Sequence, residues 1–111
     1  MEIGEVVLCK VYFSSLNMFK NRPVLVLKDN LPYNNFICLP ISSKIKNLHI
    51  DEFVISNNDF QIGSIPKDSK VMIRKVFTIS KNNITKKYGK LNIEKFEEIR
   101  SKFCNYFECK G

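Results

Sequence analysis

An arginine, a proline and an unbroken apolar run follow one another at Arg22-Pro23-Val24-Leu25-Val26-Leu27. Proline supplies no backbone N–H, fixes its own φ and pushes the preceding residue into an extended conformation. Arg22 is therefore expected at the mouth of a buried strand, held rather than free to swing. A second apolar segment, Phe36-Ile37-Cys38-Leu39, runs into Pro40-Ile41-Ser42-Ser43-Lys44. If the two strand ends are neighbours, a guanidinium and two hydroxyls meet at one rim, a donor set suited to a phosphate.

The rest of the chain limits the fold around that rim. Its 111 residues fit one domain, 1–111, able to bury roughly two-thirds of its unfolded surface. Val6–Phe13 reads as a first strand, Ser14–Phe19 as a loop with exposable apolar residues, and Asp29–Asn35 as a turn-rich connection. Alternation over Ile50–Ile55 predicts a half-solvated strand, Val71–Ile79 a further β-rich run and Ile84–Tyr88 one more. Asn92 then opens a helix as N-cap, with Glu94 near its positive end. Ile93, Phe96, Ile99, Phe103 and Phe107 recur at helical spacing along it. Short strands and one closing amphipathic helix imply a mainly β fold: a small barrel of mostly antiparallel strands capped by the helix.

Charge and cysteines narrow the function classes. Eighteen Lys and Arg against 11 Asp and Glu give a formal charge of +7, which favours polyanions, nucleic acid first and an acidic protein second. A lysine-rich solvated surface is the plain alternative. The N-terminus lacks the basic and apolar regions of a signal peptide, and no apolar stretch approaches the ~18 residues of a membrane span, so a cytoplasmic protein is expected. Cys9, Cys38, Cys104 and Cys109 show no paired C-x-x-C spacing, and the single His49 completes no familiar zinc set. The cysteines read as thiols in a reducing compartment, and no metal or cofactor is expected.

Four segments together carry a resemblance: Gly4-Glu5-Val6-Val7-Leu8, Lys20–Leu27, Leu39–Lys44 and Asp68–Ile79, with Tyr88-Gly89-Lys90-Leu91 before the final helix. In order and spacing the chain resembles the MazF/PemK toxin family over nearly its whole length. The resemblance implies an SH3-like barrel, usually a homodimer, and a metal-independent endoribonuclease held inactive by an antitoxin. The positions it ties to cleavage are the arginine before the proline and the hydroxyl after the isoleucine, here Arg22 and Ser42. One departure stands out: several family members carry a carboxylate in the strand that here reads Lys70–Lys75, and Arg74 occupies its place.

Metal-free RNA cleavage needs these residue types. When a 2′-hydroxyl attacks the adjacent phosphate, charge builds on non-bridging oxygens while one proton leaves and another reaches the departing 5′ oxygen. Arg22 offers a bidentate fork but is a poor base, so its expected role is electrostatic. Ser42 is the expected donor or relay, with Ser43 its alternate if the register shifts by one. The bland reading has Arg22 paired with a surface carboxylate and the serines satisfying strand-end backbone. The general base is unassigned, since neither Asp68 nor His49 makes a convincing one. RNA is expected to meet Phe19, Lys20, Asn21, Ser43, Lys44, Lys46, Arg74 and Lys75, with Phe13 and Tyr33 as further stacking candidates and Phe13 alternatively in the core. Arg74 and Lys75 equally suit a solvated face. The rival function is a noncatalytic module on the same scaffold, either a protein-directed toxin such as a gyrase poison or a nucleic-acid-binding regulator.

Overall fold

Val24–Leu27 is apolar throughout because its strand is covered on both sides. In the computed structural model, which describes residues 1–109, the chain forms eight strands and one helix. The strands are β1 (Glu5–Phe13), β2 (Met18–Leu31), β3 (Asn35–Ser42), β4 (Glu52–Ile55), β5 (Phe60–Gly63), β6 (Ser69–Met72), β7 (Phe77–Ser80) and β8 (Ile84–Leu91); the helix is α1 (Ile93–Tyr106). Their order in the sheet is β4-β6-β3-β2-β1-β8-β5, with β7 also paired to β3, and every pairing is antiparallel. Side chains alternate across the sheet. Val6, Leu25, Leu39, Ile41, Ile55, Val71, Ile73 and Leu91 join Phe96 and Ile99 of α1 in the main core. Their neighbours Val7, Cys9, Val24, Val26, Phe36 and Cys38 form a second cluster on the opposite face, with Phe77, Ile79 and Ile84 packed against it. The result is the expected mainly β, curled antiparallel barrel with a C-terminal helix.

Local signals place the helix. The Asn92 side chain accepts a hydrogen bond from the Lys95 N–H at 2.7 Å, and Glu94 lies in the first turn. Phe96 and Ile99 are buried and Phe103 packs against them, whereas Ile93 points to solvent and Phe107 is the C-cap, so the buried stripe is shorter than its spacing implied.

Three elements differ from expectation. Met18 and Phe19 begin β2 rather than ending a loop, because the β1–β2 ladder continues out to Phe13↔Met18. The run Val71–Ile79 is broken by a 3-10 turn over Ile73–Lys75. β6 and β7 pair with the same strand, β3, in registers three residues apart, and that turn takes up the excess while burying Ile73. β5 was not anticipated: its four residues at the sheet edge are mostly exposed and lack an apolar run. Cys9 and Cys38 are buried free thiols whose titration is pushed up by burial, Cys9 to about 11, so neither is a nucleophile. Among the described residues no helix is long and apolar enough to cross a membrane.

Candidate active site

Neighbouring strands bring the two foremost candidates to one cleft. β2 and β3 pair as Leu25↔Leu39 and Val24↔Pro40. The ladder ends there: Arg22 is held opposite Cys9 of β1 and Ser42 opposite Lys70 of β6, and both side chains line the gap between the strands. Pro23 and Pro40 remove backbone donors there, so the strand ends part and a cleft of about 390 Å³ opens between them. Asn21, Arg22, Ser42, Ser43 and Lys44 line it; Pro23, Ile41 and Ile65 supply apolar surface; Pro66, Lys67, Ser69 and Tyr88 complete the lining.

The Arg22 guanidinium lies 5.2 Å from the Phe13 ring centroid. Among the described residues no carboxylate comes within ion-pairing distance of it, against the reading that Arg22 serves a surface salt bridge. This cation–π contact steadies the guanidinium, and with no carboxylate beside it among the described residues its N–H groups are left for an anion. Arg22 also borders a smaller cavity of about 220 Å³ with Val11, Phe13, Pro40, Met72, Lys75 and Phe77. Phe13 is thus half-buried beneath the arginine rather than part of either core cluster.

Ser42 Oγ accepts a hydrogen bond from the Lys44 N–H at 3.2 Å, a turn that sets the path of the basic loop and leaves the hydroxyl proton available to donate. Ser43 is exposed, follows the end of β3 and lines the same cleft. Several carboxylates are occupied elsewhere. Lys70–Glu52 at 2.7 Å, Lys87–Glu5 at 2.8 Å and Lys81–Asp29 at 2.8 Å are ion pairs away from the cleft lining. The Lys70 ammonium holds Glu52 below the usual carboxylate range, helped by the His49 backbone N–H. Arg22, Lys44 and Lys67, all in the lining, form no ion pair among the described residues, which concentrates uncompensated positive charge at the cleft.

The other sequence candidates divide. Asn21, Ser43 and Lys44 line the cleft, and Lys75 lines the adjoining cavity. Arg74 lies outside both; its Nε is 3.7 Å from the buried Asp51 carboxylate, which also accepts from the Arg74 backbone N–H at 3.4 Å. The contact ties Arg74 to Asp51 while its side chain stays half exposed. Lys46 is exposed in the loop beyond Lys44, and Phe19 and Lys20 are exposed on the β1–β2 hairpin. Tyr33 projects from the β2–β3 turn, at the far end of β2 from Arg22. Asp68 and His49 are exposed and line neither cavity. Lys67 and Tyr88 escaped the sequence reading as lining residues, because the loop carrying Lys67 is delivered by the unanticipated β5.

The model of the family described as PemK-like, MazF-like toxin of type II toxin-antitoxin system matches residues 2–107. No curated protein matches the chain by comparison. Among solved structures, an endoribonuclease in complex with its cognate antitoxin from a mycobacterial species superposes with a TM-score of 0.76 at 11% identity, covering 100% of this chain and 98% of that one. The Mycobacterium tuberculosis toxin MazF-mt6 gives a TM-score of 0.67 at 18% identity, over 95% of this chain and 99% of that one. A further mycobacterial endoribonuclease gives 0.71 at 12% identity, over 97% and 91%. At these identities the likeness carries the fold, and the family model carries the membership. The barrel, its helix and the cleft before Pro23 thus sit in a chain that belongs to the PemK-like, MazF-like toxins of type II toxin–antitoxin systems.

Proposed function

We propose that this toxin is an endoribonuclease that cleaves single-stranded RNA at the Arg22–Ser42 cleft without a metal ion. The observation that supports the reading is an Arg22 guanidinium free of carboxylate partners among the described residues, near the Phe13 ring and lining one cleft with Ser42. The donors at the cleft are guanidinium, ammonium and hydroxyl groups, which engage phosphate directly; magnesium sites instead recruit carboxylates. The substrate 2′-oxygen attacks phosphorus, the bond to the 5′ oxygen breaks, and the fragments carry a 2′,3′-cyclic phosphate and a 5′-hydroxyl. Arg22 stabilises the charge on the non-bridging oxygens, and Ser42 donates toward the phosphate or the leaving oxygen. Asn21, Ser43, Lys44 and Lys75 hold the flanking phosphates. With no carboxylate or imidazole among the described residues of the lining, the proton from the 2′-hydroxyl leaves to solvent or through a hydroxyl relay.

The test is incubation of the purified protein with single-stranded RNA in EDTA, followed by analysis of the fragment ends. Cyclic phosphate and 5′-hydroxyl ends are expected. Ser42→Ala should cut single-turnover rates by about tenfold or more, and Ser43→Ala should be milder. Intact RNA in EDTA, with cellular toxicity unchanged in Ser42→Ala, would instead favour a noncatalytic, protein-directed toxin.

The same cationic surface suits an acidic, disordered segment of a cognate antitoxin, because RNA and such a segment neutralise the same charges. The toxin acts in the cytoplasm as a homodimer whose basic groove runs near the interface, a reading supported by exposed apolar residues such as Ile3, Met18, Tyr106 and Phe107. Solution scattering is expected to give twice the 13.0 kDa chain mass under reducing conditions. Antitoxin peptide should displace RNA competitively; simultaneous binding of both would refute the shared surface.

A further inference from the structure

The cleft continues along one face of the sheet. In the register Leu8↔Pro23, Lys10↔Asn21 and Tyr12↔Phe19, the side chains of β1 and β2 on the Asn21 side form a stripe leading away from the cleft. At its outer end the Phe19 ring, 52% exposed, packs edge-on against Tyr12 with centroids 5.2 Å apart. Lys10 Nζ lies 5.4 Å from the Phe19 centroid, and the Tyr12 hydroxyl donates to Asn17 Oδ1 at 2.6 Å, which fixes the platform. On β8, next to β1 through Leu8↔Lys86, the arrangement recurs: Lys86 Nζ stands 5.1 Å from the Tyr88 centroid. Tyr88, with Ile65 and Pro66, lines both the Arg22 cleft and a hollow of about 280 Å³ completed by Ser64, Lys86 and Lys87. Lys87 is paired with Glu5, whereas Lys10 and Lys86 form no ion pair among the described residues. No residue of the stripe carries a carboxylate.

An aromatic ring with an unpaired ammonium over it, found on either side of the Arg22 cleft, matches the chemistry of a single-stranded nucleic acid: bases stack while ammonium groups follow the backbone. Phe19 lies four residues from Pro23, about 13 Å along β2, and β8 is two strands away, about 10 Å, so a single base cannot occupy both places. We infer that Phe19–Lys10 and Tyr88–Lys86 are two nucleobase-stacking stations that hold one RNA strand on opposite sides of the Arg22 cleft. The inference rests on the RNA-cleaving reading and adds to it the flanking unpaired bases the enzyme grips. Double-stranded RNA, whose bases are already stacked, is excluded by the same geometry.

Binding is read with 2′-O-methyl RNA ten-mers, which present bases and phosphates but cannot undergo 2′-oxygen attack, carrying 2-aminopurine as a stacking reporter. Quenching of 2-aminopurine by the wild-type protein is expected. Phe19→Leu and Tyr88→Leu should each weaken binding about five- to a hundredfold. Their double variant should multiply the losses, and Phe19→Tyr and Tyr88→Phe should restore affinity. Tyr33→Ala, at the far turn, should bind as wild type. Because Tyr88 also packs against the main core, thermal melting of each variant accompanies the measurement, and the exposed Phe19 carries the test if Tyr88→Leu unfolds. Phe19→Leu binding as tightly as wild type, or a wild-type protein that leaves the reporter unquenched, overturns the inference. Aromatic-dependent binding by a wild-type protein that cuts no RNA in EDTA upholds the stations and refutes the nuclease reading alone.

Discussion

Replacing Arg22 by lysine is expected to slow single-turnover RNA cleavage by about ten- to a thousandfold while RNA affinity changes little, the range for loss of one transition-state donor. The substitution keeps the charge but removes the planar fork and its contact with the Phe13 ring, whose centroid lies 5.2 Å away. An ammonium at the end of a flexible stem still attracts the ground-state phosphate; it cannot present two parallel donors to oxygens whose charge rises only during the reaction. Lys44→Ala provides the contrast. That side chain lines the cleft without an ion pair among the described residues, so its loss should weaken binding and flatten the salt dependence, leaving the bound-state rate nearly intact. Quench-flow cleavage and equilibrium binding at several salt concentrations separate the two. Equal cleavage rates for Arg22→Lys and wild type would remove Arg22 from the chemistry.

Gly89→Ala is expected to destabilise the fold by about 3 kcal/mol or more, the upper range for one substitution, because it combines steric overlap with backbone strain. β5 and β8 cross at Gly63↔Gly89 so closely that a Cβ on Gly89 would sit 2.1 Å from the Ile62 carbonyl oxygen, and one on Gly63 2.1 Å from that of Tyr88. Both obstacles are backbone, which cannot rotate aside as a side chain does. Gly63 also has φ +75°, where an L residue is strained even with space. Relief requires β5 to separate from β8, and the loop after β5 carries Ile65, Pro66 and Lys67 into the cleft wall. RNA affinity should therefore fall with stability in this variant, unlike in Lys44→Ala, where stability is unchanged. Urea denaturation gives the value, and a loss under about 1 kcal/mol would mean that the crossing relaxes more cheaply than its geometry implies.

What the sequence determined was local. The stiffness of Arg22-Pro23, the apolar strand behind it and the Asn92-capped helix depend on residues a few positions apart, whose steric and hydrogen-bonding preferences act before any long-range contact forms. That Arg22 and the serines line one cleft depended on register. A slip of one residue would send every side chain of β3 to the other face, and the Leu25↔Leu39 packing on one face and Val26↔Cys38 on the other prevent it. Arg74 read as a free cation beside Lys75, yet Asp51, 23 residues earlier, comes under it when β4 pairs with β6. Lys67 and Tyr88 carried no local signal for the cleft; the glycine crossing of β5 and β8 brings them to Arg22. Residue chemistry was legible along the chain, whereas which charges stayed unpaired and which hydroxyls shared a cleft with the arginine required strands distant in sequence to close the sheet, because burial and pairing are properties of the assembled surface.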